Sequence, residues 1–314
     1  MLFVSNIHFD YMIKNYSVTH DYINCRLDRW YKKNICNVPQ SLLEKSLRKG
    51  KIKVNKKKIK SSYKLKKDDL ILIDNFTPIL KKEKKEKFQY HATKSEIKSA
   101  STFIIEDNEN FVVINKPAGI SVQSGTKSPK NILDILRNTK YFINTSPFTV
   151  HRIDKETTGV LIVAKNRQYA QLFTSLFRIK KIHKEYFCIA IGEIEKKKGT
   201  LKDILTYKEG KKIINLNSVT HYNLVDSNRN YSLLKLIPET GRKHQLRKQL
   251  LMHNNPILGD SKYRISKTYN KNNQLMLHAY KIYFKINNKK YEYIAELPDS
   301  FKKTLKEKYL KIPQ

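Results

Sequence analysis

Residues 77–100, "TPILKKEKKEKFQYHATKSEIKSA", divide this chain more firmly than any other stretch. They contain no sustained apolar period, a Lys/Glu run and small polar residues at the end, so they offer no face to bury at helical or strand spacing. A chain of 314 residues interrupted in this way is expected to build two cores rather than one. We expect an extension over 1–21, a small module over 22–76, a basic linker over 77–102 and a larger module over 103–314.

In the small module, "VPQSLLEKSLRKG" places Pro39 near a helix start and Gly50 at the position after a helix end. Leu42, Leu43 and Leu47 fall on one helical face. "KIKVN" and "DLILID" read as short strands around a basic turn. Arg48, Lys49, Lys51, Lys53, Lys56, Lys57 and Lys58 therefore crowd the helix end and the hairpin after it. A solvated surface accounts for such a cluster as readily as a binding face does. The order helix, helix, RKG, strand, "VNKKKIK" turn, strand resembles the S-four-type RNA-binding domain, a small α/β module. That resemblance implies a basic helix–strand face lying along RNA backbone, where phosphate contacts orient more than they select.

The charge balance points the same way. There are 63 Lys and Arg against 28 Asp and Glu, a net charge of +35. Part of the excess follows a composition in which Lys, Asn, Ile and Tyr abound together; the remainder favours a polyanionic partner, most simply nucleic acid. Cys25, Cys36 and Cys188 are odd in number and widely spaced, without a CxxC or metal-ligand pattern. They read as free thiols in a reducing compartment. There is no HExxH pair and no clustered glycine loop to cradle phosphate, so neither a metal nor a small-molecule cofactor is expected. No apolar run approaches the length of a membrane span, and the opening residues lack the features of a secretory signal. A cytoplasmic monomer is the expectation, with an organelle of bacterial ancestry as the alternative home.

The larger module alternates strand-like and helix-like segments. "FIIEDNENFVVINKPAG" reads as a hairpin turning at Asp107–Asn110, "NILDILR" as a short amphipathic helix and "GVLIVAK" as a buried strand. "NRQYAQLFTSLFRIKK" reads as a helix with Ala170, Phe173, Leu176 and Phe177 inward. "EYFCIAIGEI", "YSLLKLIPE" and "LHAYKIYFKI" supply further strands, and "HQLRKQLLMHNN" another helix. The expected class is α+β, with helices packed on a mixed, mostly antiparallel sheet.

Three places carry chemistry. In "VHRIDKETTGVLIVAK" four strongly polar residues adjoin the buried strand, and Asp154 lies between Arg152 and Lys155. An ionised carboxylate there can serve as nucleophile or base; a loop Asp that caps its own turn or pairs with Arg152 is the plainer alternative. The kinase catalytic loop also has Asp after His-Arg, but here Ile153 intervenes and neither GxGxxG nor DFG occurs. In "PETGRKHQLRKQLLMHNNPILGDSKY", Arg242 and Lys243 sit at a helical start and read equally as surface cations. Arg247, among Leu246, Leu250 and Leu251, is expected to be partly buried and to need a carboxylate, for which Asp154 is the best candidate. Tyr186 in "KEYFCIAIG" fills core or offers a face on which a base can stack.

Taken in order, "NKPAGISVQSG", "HRIDKETTGVLIVAKN", "KEYFCIAIG", "PETGRKHQLRKQLLMHNNPILGDSKY" and "LHAYKIYF" resemble the RluA-type pseudouridine synthases over about residues 103–295. With the basic N-terminal stretch in front, the chain is most like the RluC branch, which modifies bacterial large-subunit ribosomal RNA. The resemblance implies the pseudouridine synthase fold, uridine isomerisation in RNA without a cofactor, and an essential carboxylate at Asp154. It implies that Arg152 helps to extrude the target nucleotide, that Tyr186 contacts the uracil and that Arg247 is the basic partner of Asp154. Departures are "SVQSG" after KPAG, Thr158 where Ser is usual, and a helix "KQLLMHNN" more basic than the usual one. Two other functions share parts of this pattern: a non-catalytic RNA-binding or ribosome-assembly protein, for which a carboxylate within an RNA-facing site has no use, and a hydrolase that releases free uracil.

Overall fold

The computed structural model describes residues 13–74, 90, 92–124, 130–210, 212–265 and 274–313. Residues 1–12 of the expected extension and the whole Lys/Glu run of the expected linker lie outside the described residues. The chain parts into two units between residues 87 and 88.

The first unit contains β1 (Ile13–Ser17), α1 (Leu27–Asn34), α2 (Gln40–Arg48), β2 (Ile52–Val54) and β3 (Leu70–Asp74). The strands form an antiparallel sheet in the order β1-β3-β2. Leu27, Trp30 and Tyr31 of α1, Leu43 and Leu47 of α2, and Ile52, Val54, Ile71 and Ile73 of the sheet close one core. The sequence reading leaves Ile13–Ser17 outside the module; its pairing with β3 is long-range and "IKNYS" carries no alternating signal of its own. Gly50 ends α2 at φ +73, where the Gly50 N–H donates to the Leu47 carbonyl and the Lys51 N–H to that of Ser46. This left-handed stop satisfies two orphan helix carbonyls and reverses the chain. It leaves Arg48, Lys49, Lys51, Lys56, Lys57 and Lys58 exposed and Lys53 half-buried.

The second unit begins earlier than its apolar pattern suggests. Residues 92–100, read from composition as linker, carry α3 (Lys94–Ala100), opened by a reciprocal Thr93–Glu96 capping box and packed through fully buried Ala100. The helix is too short and too polar to register as a period. Then follow β4 (Ile104–Asp107), β5 (Phe111–Lys116), α4 (Ile132–Arg137), β6 (Phe148–Thr149), β7 (Thr158–Ala164) and α5 (Arg167–Arg178). After these come β8 (His183–Ile191), β9 (Lys198–Glu209), β10 (Lys212–Ser227), β11 (Tyr231–Pro238) and α6 (Gln245–Met252). The unit ends with β12 (Leu277–Ile286), β13 (Lys289–Ile294) and α7 (Asp299–Glu307).

These strands form a mixed sheet in the order β4-β5-β7-β12-β8-β11-β10-β9, with β6 also on β7 and β13 on β12. Every pairing is antiparallel except β7 with β12. All seven residues of β7 are buried because both faces of this part of the sheet are covered. Val112, Ile114, Leu161 and Val163 meet Ile132, Ile135 and Leu136 of α4 on one side. Phe111, Val113, Val160 and Ile162 meet Phe173 of α5 on the other. The two-residue period of the strands sorts the two sets.

The parallel joint is built closely. Thr158 stands opposite His278 and Gly159 opposite Ala279. The Thr158 hydroxyl donates to His278 Nδ1 at 2.8 Å, and His278 Nε2–H donates to the Ala295 carbonyl at 3.0 Å. Gly159 has φ +110, and a Cβ there would lie 2.1 Å from the Ala279 carbonyl oxygen, so only glycine fits.

Candidate active site

The segment His151–Thr157 joins β6 to β7 and is tied down on two sides. His151 Nε2 accepts the Ile162 N–H at 2.9 Å, and its ring stacks on Phe177 at 4.6 Å. Desolvation, helped by the charge of Lys184, pushes this imidazole down to about 3, so it is neutral and carries its proton on Nδ1. On the other side Lys116 of "NKPAG", wholly buried, donates to the carbonyls of Pro117 at 2.7 Å, Ile120 at 2.9 Å and Lys155 at 3.0 Å. Burial lowers its pKa to about 7 against the opposing pull of Glu156 and Asp154. The NKPAG turn and the HRID segment are therefore clasped together by one ammonium.

Asp154, held between these anchors, lines a cavity of about 550 Å³ together with Arg152, Lys184, Tyr186, His244 and Arg247. The four residues singled out in the sequence as catalytic thus share one cleft. Arg152 is exposed at its edge and, among the described residues, has no ion-pair partner. Tyr186 lies on β8; burial first and the charge of Asp154 second push its phenol upward, so it stays protonated. Lys184, two residues earlier on the same face of β8, enters the cleft as a half-buried cation whose pKa burial lowers.

Arg247 projects from α6 and is more deeply buried than the partial burial expected, and its main partner is Asp260 rather than Asp154. Its Nε and Nη2 form a bidentate pair with Asp260 at 2.6 and 2.7 Å, while Nη1 reaches Asp154 Oδ2 at 3.2 Å. Burial alone would raise the Asp260 carboxyl, but hydrogen bonds from Arg247 and from the Tyr263 and Lys262 backbone hold it below its ordinary value. Asp260 thereby fixes the guanidinium plane, and the plane aims one N–H at Asp154. The "LGD" in "NNPILGDSKY" was the only sequence signal for this pair, thirteen positions from Arg247, and it has no helical or strand period to reveal it.

His244, also unassigned from sequence, stands at the start of α6 in a left-handed conformation, φ +53. Its Nε2 lies 3.7 Å from Asp154 Oδ1 and its Nδ1 2.9 Å from the Tyr263 hydroxyl. Burial lowers its pKa more than Asp154 raises it, with Arg247, Lys262 and Lys243 adding to the fall. Arg242 and Lys243 lie in the turn before α6 rather than on the helix, because the helix begins only at Gln245. Both are exposed, and Arg242 Nε donates to the Asn217 carbonyl at 3.3 Å.

The arrangement offers a carboxylate held by a guanidinium at one oxygen and facing the cleft, with His244 Nε2 3.7 Å away, at the other, beside a protonated phenol and the cations Arg152 and Lys184. Such a set can attack or deprotonate an electron-poor carbon within a polyanion. Among the described residues no group of three or more His, Cys, Asp or Glu is placed to hold a metal ion, and no helix is long and apolar enough to cross a membrane.

Comparison with known proteins places these elements. Residues 110–252 match the model of the RNA pseudouridylate synthase family. The chain is 34% identical, over 85% of its length and 88% of the relative's, to the ribosomal large subunit pseudouridine synthase C of Buchnera aphidicola subsp. Baizongia pistaciae. It is 33% identical to the protein of that name from Rickettsia felis, over 89% of this chain and 95% of that one. Among solved structures it is similar to human RNA pseudouridylate synthase domain containing 4, with a TM-score of 0.59 and 26% identity over 69% of this chain and 97% of the other. The fold, the shared cleft and these likenesses agree: the chain belongs to the RNA pseudouridine synthase family, isomerases that convert uridine in RNA to pseudouridine.

Proposed function

We propose that this enzyme modifies uridines of large-subunit ribosomal RNA in the cytoplasm, with Asp154 as its catalytic carboxylate. The observation that carries the reading is the position of Asp154, whose carboxylate faces the cleft while Arg247 holds one oxygen at 3.2 Å. A base inside structured RNA is out of reach, so the nucleotide must first be flipped, at a cost of a few kcal/mol. Arg152, exposed and unpaired by carboxylates among the described residues, is the group that opens the RNA and fills the vacated space. Asp154 then acts at the ribose, as nucleophile or base, while the bond from C1′ to N1 breaks. Tyr186 holds the detached uracil as it turns. A new bond forms from C1′ to C5, the C5 proton leaves and N1 gains one, so the RNA keeps its mass.

The exposed cations Arg48, Lys49, Lys51, Lys56, Lys57 and Lys58, with Lys53, form an S-four-type RNA-binding face on the first unit. Arg242 and Lys243 contact backbone at the cleft itself. Phosphate neutralisation by these groups offsets the cost of flipping. The decisive experiment is pseudouridine mapping by carbodiimide on large-subunit rRNA from cells carrying wild-type protein or Asp154→Ala. Loss of defined sites in the variant supports the assignment; identical maps overturn it.

A further inference from the structure

Beside the catalytic cleft lies a second recess of about 720 Å³, walled by the β9–β10 hairpin and the turn leading into α6. Gly241 and Arg242 line both spaces, so the two adjoin. Its walls carry Lys208, Arg242, Lys243, Lys248 and Lys262, two tyrosines, Tyr207 and Tyr263, and not one carboxylate. Five cations around one recess whose walls hold no carboxylate repel one another. The repulsion is visible at Lys248, whose pKa is lowered by burial and then by the charges of Lys262 and Lys243. An anion entering the recess relieves it.

The aromatic groups define what else the occupant must have. Lys248 Nζ sits 3.8 Å from the centre of the Tyr207 ring and donates to the Thr206 carbonyl at 3.1 Å. The Tyr207 hydroxyl donates to the Lys243 carbonyl at 2.9 Å, which fixes the ring against the turn that precedes His244. Tyr263 carries Lys262 on its ring at 5.3 Å and passes Arg247 at 5.1 Å, and its hydroxyl meets His244. A fixed ring beside ammonium groups that have no carboxylate among the recess walls fits a flat heterocycle joined to a phosphate. Inorganic anions would use the lysines but not the rings, and an acidic peptide would use neither ring as a platform.

We propose that this recess binds the nucleotide next to the flipped uridine, its base on Tyr207 and its phosphate among Lys243, Lys248 and Lys262. The inference rests on the reading of Asp154 as the reacting group of an RNA-modifying cleft. The recess then acts as a ruler: holding the neighbouring base out of its stack keeps the target extruded and sets which strand segment enters.

The test uses the full chain with an unmodified transcript of large-subunit rRNA, in an Asp154→Ala background so that binding is read without turnover. Tyr207→Ala and Lys248→Gln each weaken filter binding about tenfold, while Tyr207→Phe, which keeps the ring, stays within twofold of the parent. Lys248→Gln also lowers the slope of log affinity against log salt by about 0.7, the value for one phosphate of a single strand. A transcript carrying 4-thiouridine cross-links on irradiation to peptides containing Tyr207 or Tyr263. Parent-like affinity and salt slope in Tyr207→Ala and Lys248→Gln, or cross-links confined to other peptides, overturn the subsite. They do so without touching the catalytic assignment, which fails only if Asp154→Ala leaves the pseudouridine map intact.

Discussion

The bidentate pair between Arg247 and Asp260 separates two carboxylates that a reader of the sequence would rank in the opposite order. Asp260 has a side chain at 0% exposure and meets Arg247, itself at 8%, through two hydrogen bonds, whereas Asp154 is 23% exposed and meets it through one. Consider Asp260→Asn, which keeps shape and removes charge. It leaves a buried guanidinium with no bidentate carboxylate and, as its one remaining charge partner, Asp154 at 3.2 Å; breaking a buried pair in this way costs about 3–5 kcal/mol. The amide oxygen still accepts one bond and Asp154 remains as a counter-charge, so about 3 kcal/mol is the expected figure. For a unit of this size that lowers Tm by about 6–12 °C. Asp154→Asn loses one partly hydrated contact from an arginine that keeps its bidentate partner, so less than about 1 kcal/mol is lost. Activity runs the other way: Asp154→Asn abolishes release of tritium from C5-labelled uridine, and Asp260→Asn only lowers its rate. Thermal unfolding followed by circular dichroism, paired with the tritium assay, reads both quantities. A loss below about 1 kcal/mol in Asp260→Asn, or equal destabilisation of the two variants, would show that Asp260 is not the principal partner of Arg247.

Two other outcomes follow from the same structure. His278 is fully buried, and its pKa is lowered to about 4 by desolvation, with the Ala295 carbonyl opposing. Between that value and the unfolded value of about 6.5 only the unfolded chain takes up the proton, so its contribution is complete above about 6.5 and falls by about 3 kcal/mol as pH drops through about 4. The Tm gap between wild type and His278→Gln, measured at pH 7 and again at pH 4.5, should therefore narrow with acid; a gap that does not change removes His278 from the acid response. Deleting residues 1–76 should weaken rRNA binding and flatten its salt dependence while Asp154 chemistry persists; equal affinity and slope in the filter assay would strip the first unit of its RNA-binding role.

What could be read in advance was what local pattern encodes. The run Val160–Ala164 is apolar throughout because both faces of its strand are covered, and the helix end at Gly50 carries its own capping chemistry. Asp154, Arg152 and Arg247 are marked by charge beside buried runs, Tyr186 and the four roles by the family resemblance alone, and one cleft gathers all four. Other parts depend on partners distant in sequence or on geometry without a period. The β9–β10 hairpin went unassigned because Lys and Asn crowd it and its Ile204 and Ile213 face outward, 62% and 66% exposed, so strand alternation is blurred. Lys116 looked like one residue of a motif, and only the three converging carbonyls reveal it as a clasp. His244 became a neighbour of Asp154 through a left-handed turn that no spacing rule would supply.

The position of β12 bears on how the enzyme comes into being. In the sheet it lies between β7 and β8, yet it is nearly the last strand to be made. On one side of it β7 follows the loop bearing Arg152 and Asp154; on the other β8 bears Tyr186, and β11 leads to the helix bearing Arg247. Until residues 277–286 leave the ribosome, the carboxylate and its guanidinium belong to two half-sheets with no strand between them. Closing that gap joins positions more than a hundred residues apart, the kind of contact that forms late and slowly. A nascent chain therefore carries its cations long before it carries a working site, and it can touch RNA well before it can alter it.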